Sequence, residues 1–246
     1  MILVQIHQFS TSKILLQSAA RLAGQLGKSF AVLIVADDEN ELTKLLNECK
    51  IYDYKIFIID NSKSLVEVCE ANETSFLFIQ LSDNKLIRKQ LNECRDLRIP
   101  YLFYKDSFGE LDLKKVILPI GFLEEELEKA QFAAAFGRFC SSEVKMLLAN
   151  DYGSKAAKNA EKMIELFEKF DFKYTLEKAT KDSFKVEAAS IQVAEIENGG
   201  VIIISASRDY GLDDILFGPK EYHIIRKSSV PVLLVNPRGD LYALCD

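Results

Sequence analysis

The sequence predicts an α/β protein built from two tandem open sheets of parallel strands. Short apolar runs recur along the 246 residues and are nearly continuous rather than alternating, which is typical of strands buried on both faces of a parallel sheet. Stretches with helical spacing separate these runs, as in right-handed crossover units. The whole series then occurs a second time. These observations predict two units of five strands each, with helices on both faces.

The first series begins at the first residues of the chain. Its predicted strands are Ile2–Ile6, Ala31–Val35, Ile56–Ile59, Ser75–Ile79 and Tyr101–Tyr104, and apolar stripes at Ile14–Leu26, Leu42–Leu46, Leu65–Cys69 and Leu86–Leu91 predict the helices between them. Ser10-Thr11-Ser12 precedes the first stripe and Gly27 follows it. Such residues favour the start and the end of a helix, respectively.

The second series repeats this order. Its predicted strands are Val116–Ile120, Val144–Ala149, Phe172–Leu176, Val201–Ile204 and Val232–Val235, with helices around Leu127–Phe136, at Ser154–Phe170 and ending at Asn198-Gly199-Gly200. Apolar and polar residues alternate only in the third strand, which predicts an exposed edge. Pro100 and Pro231 enter the final strands of the two series 131 residues apart. A strand can begin with proline because its first N–H need not be bonded.

The repeat predicts two domains. The first comprises residues 1–106, the second comprises residues 113–238, and residues 239–246 form a C-terminal tail. Each domain has an ordinary size. The join between them, Asp106 to Leu113, is short, so we expect the two domains to pack together.

Composition excludes several classes of protein. A hydrophobic fraction of 48% excludes disorder, and a net charge of −6 argues against a nucleic-acid-binding face. Five cysteines without a C-x-x-C pair, and only two histidines, do not form a common zinc site and favour a reducing compartment. No segment approaches the ~20 apolar residues that span a membrane. We therefore expect a cytoplasmic protein without metal.

One enzymatic interpretation of the first series is weak. Asp37-Asp38, Asp60, Ser82 and Lys105 follow predicted strands, as do the residues of a phosphoacceptor receiver domain. Only 22 residues separate Asp38 from Asp60. An acidic pair and a phosphoacceptor of that type have a helix, a strand and a helix between them, for which this interval is too short.

The segment Val201–Val235 resembles the signature of the universal stress protein family. In that signature a strand is followed by Gly, two residues, Gly, nine residues and Gly-Ser/Thr, then by a helix and a Pro-Val-Leu-Val strand. Gly218 matches the last glycine, Val230–Val235 the closing strand, and Lys114–Ile120 the opening strand. The resemblance covers about Lys114 to Arg238 and is weaker in the first copy. It implies a tandem, Rossmann-like fold of the adenine-nucleotide alpha-hydrolase type and a role in the stress response.

Departures from this signature lie where the family binds ATP. Ser205 and Arg208 replace the first two glycines, and a side chain there removes the close backbone approach that phosphate needs. Pro219 replaces the Ser/Thr and has no N–H. Gly121 stands where an acidic residue often contacts the nucleotide. In the first copy, Ser82-Asp83-Asn84 leads almost directly into a helix, so the loop is absent.

We therefore expect a non-enzymatic regulatory protein with a degenerate ATP motif and no cofactor. The resemblance also implies pairing of the two domains through their last strands, a pseudo-dimer within the chain, and a homodimer is compatible with it. The alternative is a sensor of ATP, AMP or another small anion, or a weak ATPase, using the second domain. Arg208, Lys220 and His223 would then gather around an anion, or else are solvated surface side chains. The corresponding degenerate pocket comprises Gly121, Ala149, Ser205, Arg208, Gly218 and Lys220.

Overall fold

The computed structural model of the chain describes residues 1–35, 39–50, 54–59, 64–207 and 211–237. It divides into two compact units, Met1–Leu111 and Asp112–Asp246. The division falls inside the segment that the sequence analysis assigned to the join. The predicted tail, residues 239–246, lies outside the described residues, as do Asp37, Asp38 and Asp60.

The first unit is a sheet of parallel strands with helical connections. The elements in chain order are β1 (Ile2–Ile6), α1 (Phe9–Gln25), β2 (Phe30–Ile34), α2 (Glu39–Lys50), β3 (Ile56–Ile58), α3 (Leu65–Ala71), β4 (Phe76–Leu81), a 3₁₀ turn (Asn84–Leu86), α4 (Ile87–Glu93) and β5 (Tyr101–Lys105). The strand order is β3-β2-β1-β4-β5. The chain thus extends the sheet to one side of β1 and then to the other.

The second unit repeats this topology. The elements are β6 (Lys115–Ile120), a 3₁₀ turn (Glu124–Leu127), α5 (Glu128–Cys140), β7 (Glu143–Leu148), α6 (Lys155–Lys169), β8 (Tyr174–Lys178), α7 (Val186–Ile196), β9 (Val201–Ser205), α8 (Leu212–Phe217), α9 (Lys220–Lys227) and β10 (Val232–Val235). Its parallel strands follow the order β10-β9-β6-β7-β8. Since β6 corresponds to β1 and β9 to β4, the internal repeat is confirmed.

The central strands form the cores of the two units. Every residue of β1, β4, β9 and β10 is buried, so helices cover both faces of each sheet. By contrast, β8 ends the order of the second sheet and most of its side chains are exposed. The predicted α/β class, the parallel sheets and the exposed edge strand are all confirmed.

The first helix differs in detail from the prediction. It begins at Phe9, one residue before the polar triplet, after an extended Gln8 whose side chain makes no capping bond. Ile14 was assigned to the buried stripe, but its side chain is 41% exposed, and Leu15 and Leu16 are buried in its place. The stripe members Ala19, Leu22 and Ala23 are buried as predicted. The end was predicted well, because Gly27 has a φ of 60°.

Backbone proximity explains the double glycine after α7. Asn198 has a φ of 51° and reverses the chain, and the Gly200 N–H donates to the carbonyl of Lys115 over 2.9 Å. A Cβ atom at Gly200 would lie 1.3 Å from the carbonyl oxygen of Asp112. The chain entering β6 therefore leaves no room for a side chain at residue 200.

One helix of the second unit was not anticipated. The sequence pattern predicts no helix between Gly211 and Gly218, but Leu212–Phe217 forms α8. Gly218 then turns the chain with a φ of 90° into α9. Within the described residues, no helix is both long and apolar enough to cross a membrane.

Candidate functional site

A cavity of about 510 Å³ opens at the carboxyl ends of β6 and β9 in the second unit. These strands are sheet neighbours from which the chain proceeds in opposite directions, and ligands of open α/β sheets bind at such a point. Segments from four places in the chain line it: Phe122, Leu123, Glu125, Glu126, Ser183, Phe184, Glu187, Ser205, Ala206, Ser207 and Lys220. Three of these side chains are carboxylates and one is an ammonium group.

Gly121 lies beneath the carboxylate of Glu126. Its N–H donates to Glu126 Oε2 over 2.5 Å, and a Cβ atom on Gly121 would lie 2.8 Å from Glu126 Oε1. Lys129, fully buried, donates to Pro119 O over 2.7 Å and contacts Glu126 Oε2 at 3.3 Å. A carboxylate thus lies beside the position where the family resemblance led us to expect one, but it comes from the 3₁₀ turn five residues later.

Glu187 and Lys220 form an ion pair at the wall of the cavity. Lys220 Nζ lies 2.9 Å from Glu187 Oε2. Burial lowers the pKa of Lys220, but the carboxylates of Glu187, Glu221 and Glu126 outweigh burial and raise it above its usual value. Lys220 therefore stays protonated. Glu187 Oε1 and Ser205 Oγ are buried and have no hydrogen-bond partner among the described residues.

The carboxylate of Glu221 lies against the backbone just after β9. It accepts hydrogen bonds from the Ser207 N–H and, over 3.1 Å, from the Ser207 hydroxyl. Glu221 is fully buried, and burial raises the pKa of its carboxyl group against the lowering effect of these bonds and of Lys220. The Ser207 N–H, a backbone donor at the carboxyl end of β9, is therefore already bonded to the side chain of Glu221.

The structure brings together only some of the predicted pocket residues. Ser205 and Lys220 line the cavity, and Gly121 donates its N–H to the lining residue Glu126. Ala149 instead belongs to an apolar cluster with Leu147, Ala156, Ala179 and Val186. Gly218 is buried at the turn into α9 and is not among the lining residues.

The predicted cluster of cations around an anion is not formed by the described residues. Lys220 pairs with Glu187, and His223 is exposed on α9 with its ring against Tyr222. Arg208 lies outside the described residues. No group of three or more His, Cys, Asp or Glu side chains in the described part of the chain is arranged to hold a metal ion.

Sequence analysis missed the acidic residues of the site. Glu126, Glu187 and Glu221 all lie in first turns of helical segments, where acids are common and usually solvated. Their burial depends on contacts with distant strand ends, which periodicity does not show. The i, i+3 spacing of Glu126 and Lys129 was the one local signal, and it also occurs on exposed helices.

A second cavity, of about 360 Å³, lies at the corresponding strand ends of the first unit. Its charged lining residues are Lys44, Lys89 and Glu48. His7 and Ser82 also line it, and the His7 Nε2 atom lies 2.9 Å from Gln90 Nε2. The start of α1, which has no acidic residue in its first turn, forms the rim at Phe9 and Ser10. In the part of the chain that the structure describes, the lining of this cavity is therefore less acidic than that of the second unit.

Comparison with solved structures assigns the fold. A universal stress protein from Archaeoglobus fulgidus DSM 4304 superposes with a TM-score of 0.70 at 14% identity, covering 97% of each chain. The fold is that of the universal stress proteins. A functionally unknown protein from Pseudomonas aeruginosa PAO1 has the same fold, with a TM-score of 0.66, 16% identity and coverage of 99% of this chain and 94% of that one. Both similarities extend over both units of this universal stress protein fold.

Comparison with family models and with curated sequences does not detect this relationship. No protein-family model matches the chain, and no curated protein matches it. The low identity of the structural relatives explains this result, since identities of 14–16% leave the fold as the shared property. The predicted resemblance to the universal stress proteins is confirmed at the level of the fold.

Proposed function

We propose that this chain is a non-catalytic, cytoplasmic stress-response protein that does not bind ATP in the way typical of universal stress proteins. The fold supports the stress-response role. The proposal that ATP does not bind in the typical way rests on the Glu221 carboxylate, which accepts hydrogen bonds from both the N–H and the hydroxyl of Ser207. A phosphate at the end of β9 would need such a backbone donor.

Electrostatics of the cavity also oppose a nucleotide. Of the described side chains that line it, Glu125, Glu126 and Glu187 are carboxylates and one, Lys220, is a cation that is already paired. Like charges in a partly buried site repel more strongly than in water. Pro219, which precedes α9, offers no N–H to an anion. A triphosphate entering here would meet carboxylates where phosphate sites present donors.

Calorimetric titration with ATP, ADP and AMP, with and without Mg²⁺, tests this proposal. We expect no binding heat up to about 1 mM nucleotide, a concentration at which even a weak site would saturate partly. Micromolar ATP binding that is weakened by Lys220→Met would overturn the proposal. The same samples, assayed for phosphate release, test the absence of ATPase activity.

The first-unit cavity favours a second candidate function, a sensor of adenine nucleotides or small anions. Among the described lining residues, Lys44 and Lys89 outnumber the one carboxylate, Glu48, and the N-terminal turn of α1 adds partial positive charge. Nucleotide binding that Lys89→Met weakens, and Lys220→Met leaves unchanged, would assign an anion to this unit. Without such binding the sensor hypothesis fails.

A further inference from the structure

We propose that the cavity between β6 and β9 of the second unit binds a small organic cation with a primary ammonium group. The cavity volume, about 510 Å³, lies in the range of small-molecule sites. Three further observations define the ligand: two buried acceptors without donors, an excess of carboxylates, and an aromatic pair at the rim.

The buried acceptors are the first of these observations. Glu187 and Ser205 line the cavity and are only 6% and 4% exposed, yet Glu187 Oε1 and Ser205 Oγ have no partner among the described residues. Buried polar atoms are nearly always hydrogen-bonded, and an ionised carboxylate can only accept. The group missing at Glu187 is therefore a donor, and the Ser205 hydroxyl, which can both donate and accept, can accept from the same group. An ammonium group carries three N–H donors and could serve both oxygens.

Charge selects a cation over a neutral donor. Among the residues that the structure describes, the lining side chains include Glu125, Glu126 and Glu187 but only one cation, Lys220. Lys220 lies on Glu187 Oε2, 2.9 Å away, which leaves Oε1 without a donor. Lys129 offsets part of the charge of Glu126, and the buried Glu221 adds a further acid next to Ser207. The balance among the described residues around the cavity remains acidic.

The rim adds an aromatic surface. The rings of Phe122 and Phe184 meet edge to face with centroids 5.4 Å apart, and both residues line the cavity. Phe184 is 84% exposed, which is unusual for a phenylalanine in an ordinary loop. Aromatic faces beside carboxylates attract organic cations, because the ring quadrupole favours positive charge. A short alkyl chain on the ammonium group would contact these rings.

This inference goes beyond the proposed function. The proposed function states what the cavity rejects, whereas the inference states what it accepts. The two can fail separately: ATP binding would contradict the first, and the absence of amine binding would contradict the second.

The test is titration of the full chain with n-butylammonium, followed by calorimetry and by ligand-observed NMR. We expect a dissociation constant at or below about 1 mM. Tetramethylammonium has the charge without N–H donors, and n-butanol has the chain without charge, so both should bind at least about tenfold more weakly. Equal binding of tetramethylammonium, or no binding of butylammonium at about 10 mM, would overturn the inference.

Two variants locate the site. Glu187→Gln replaces one carboxylate oxygen by an NH2 group, which cannot accept a hydrogen bond from an ammonium group. The variant should bind butylammonium at least about tenfold more weakly. Glu195→Gln, on the exposed side of the same helix, is the matched control and should leave binding unchanged. Unchanged binding in Glu187→Gln would contradict the inference, provided that circular dichroism shows the variant to be folded.

Lys220→Met is the more informative variant. It removes the internal ammonium from Glu187, so an external ammonium should bind more tightly, by about tenfold. A merely structural role of the ion pair would not produce tighter binding of a cation. If Glu187→Gln does not fold, Lys220→Met alone decides: weaker or unchanged butylammonium binding would overturn the inference.

Discussion

Lys129 shows how a single residue holds the floor of the second-unit cavity. Its side chain is fully buried and its ammonium group bonds Pro119 O and Glu126. A buried charge of this kind is tolerated only where partners replace water. Together with the Gly121 N–H, Lys129 fixes the Glu126 carboxylate in place, so the position of an acid at this strand end depends on a lysine in α5.

Lys129→Met therefore tests the strength of this arrangement. We expect the free energy of unfolding to fall by about 3 kcal/mol, because Glu126 would keep a buried charge without its cation. Urea denaturation measures the change. Lys162→Met is the control, since Lys162 pairs with Glu124 of the same 3₁₀ turn at 3.4 Å but in an exposed position. Loss of this exposed ion pair should lower the free energy of unfolding by less than about 1 kcal/mol. Equal effects of the two variants would show that burial of the pair is unimportant.

Glu221 predicts a pH dependence at the same scale. Burial raises the pKa of its carboxyl group in the folded chain. The folded protein then holds more protons than the unfolded chain between the two pKa values, so the contribution of Glu221 to stability falls as pH rises through that window. The charges facing it are Lys220 and Glu187, which act in opposite directions.

Glu221→Gln removes this contribution while keeping an oxygen that can accept from the Ser207 N–H. We expect the stability of the variant relative to the parent to rise from pH 4 toward neutral pH, with unfolding midpoints measured at each pH. A difference that stays constant over this range would contradict the raised pKa.

At the scale of elements, the junction of α7 and β9 depends on a close backbone contact. Gly200→Ala would place its Cβ atom 1.3 Å from Asp112 O, so the entry of β6 would have to move. We expect a loss of about 3 kcal/mol or more in the free energy of unfolding. Gly24→Ala in α1 is the contrasting change, because nothing lies within 4 Å of that Cβ atom. It should stabilise the protein by about 0.5 kcal/mol, since alanine favours a helix over glycine.

Both changes are measured by thermal and chemical unfolding. Stabilisation, or no effect, from Gly200→Ala would show that the Asp112 carbonyl is not held where the structure has it. The pair separates the two roles of glycine, since one position requires the absence of a side chain and the other only tolerates it.

Elements were predictable from the sequence where local pattern and tertiary environment agree. The strand Val232–Val235 was predicted at its observed bounds, because an apolar run after proline has few alternatives. Leu212–Phe217 was missed as a helix, since Gly211 and Gly218 flank it and two aspartates interrupt its apolar pattern.

The site was predictable from the sequence only as a place in the fold. Which acids are buried there depends on contacts between residues far apart in the chain, as for Ser207 and Glu221.

At the scale of the whole molecule, the cysteines distinguish the two units. Cys49, Cys69 and Cys94 are buried in the first unit, and Cys140 is half-buried in the second. Burial raises the pKa of Cys49 and of Cys69 to about 11 and raises the pKa of Cys94 well above its usual value. Thiolates are the reactive form, so the native first unit should resist thiol reagents.

Labelling with a chromogenic disulfide at pH 8 measures this resistance. In a Cys245→Ser background, we expect Cys140 to react first and the other three thiols to react only as the first unit opens. In urea all four should react together. Rapid labelling of Cys69 in the native protein, located by mass spectrometry, would contradict the buried position of α3. The slow phase thereby reports the opening rate of the first unit alone.

The hydrogen bonds between Glu221 and Ser207 have a consequence for how phosphate affinity could evolve or be engineered in this fold. Ser205→Gly on its own should gain nothing, because the donor it would expose remains occupied by an internal carboxylate. Glu221→Ala, which removes the acceptor from the Ser207 N–H, leaves a side chain at residue 205 when it is made alone. The two substitutions should therefore be epistatic, with a non-zero coupling free energy for inorganic phosphate in a double-mutant cycle. Neither single step would be visible to selection for phosphate affinity, so a lost site of this kind is difficult to regain one residue at a time.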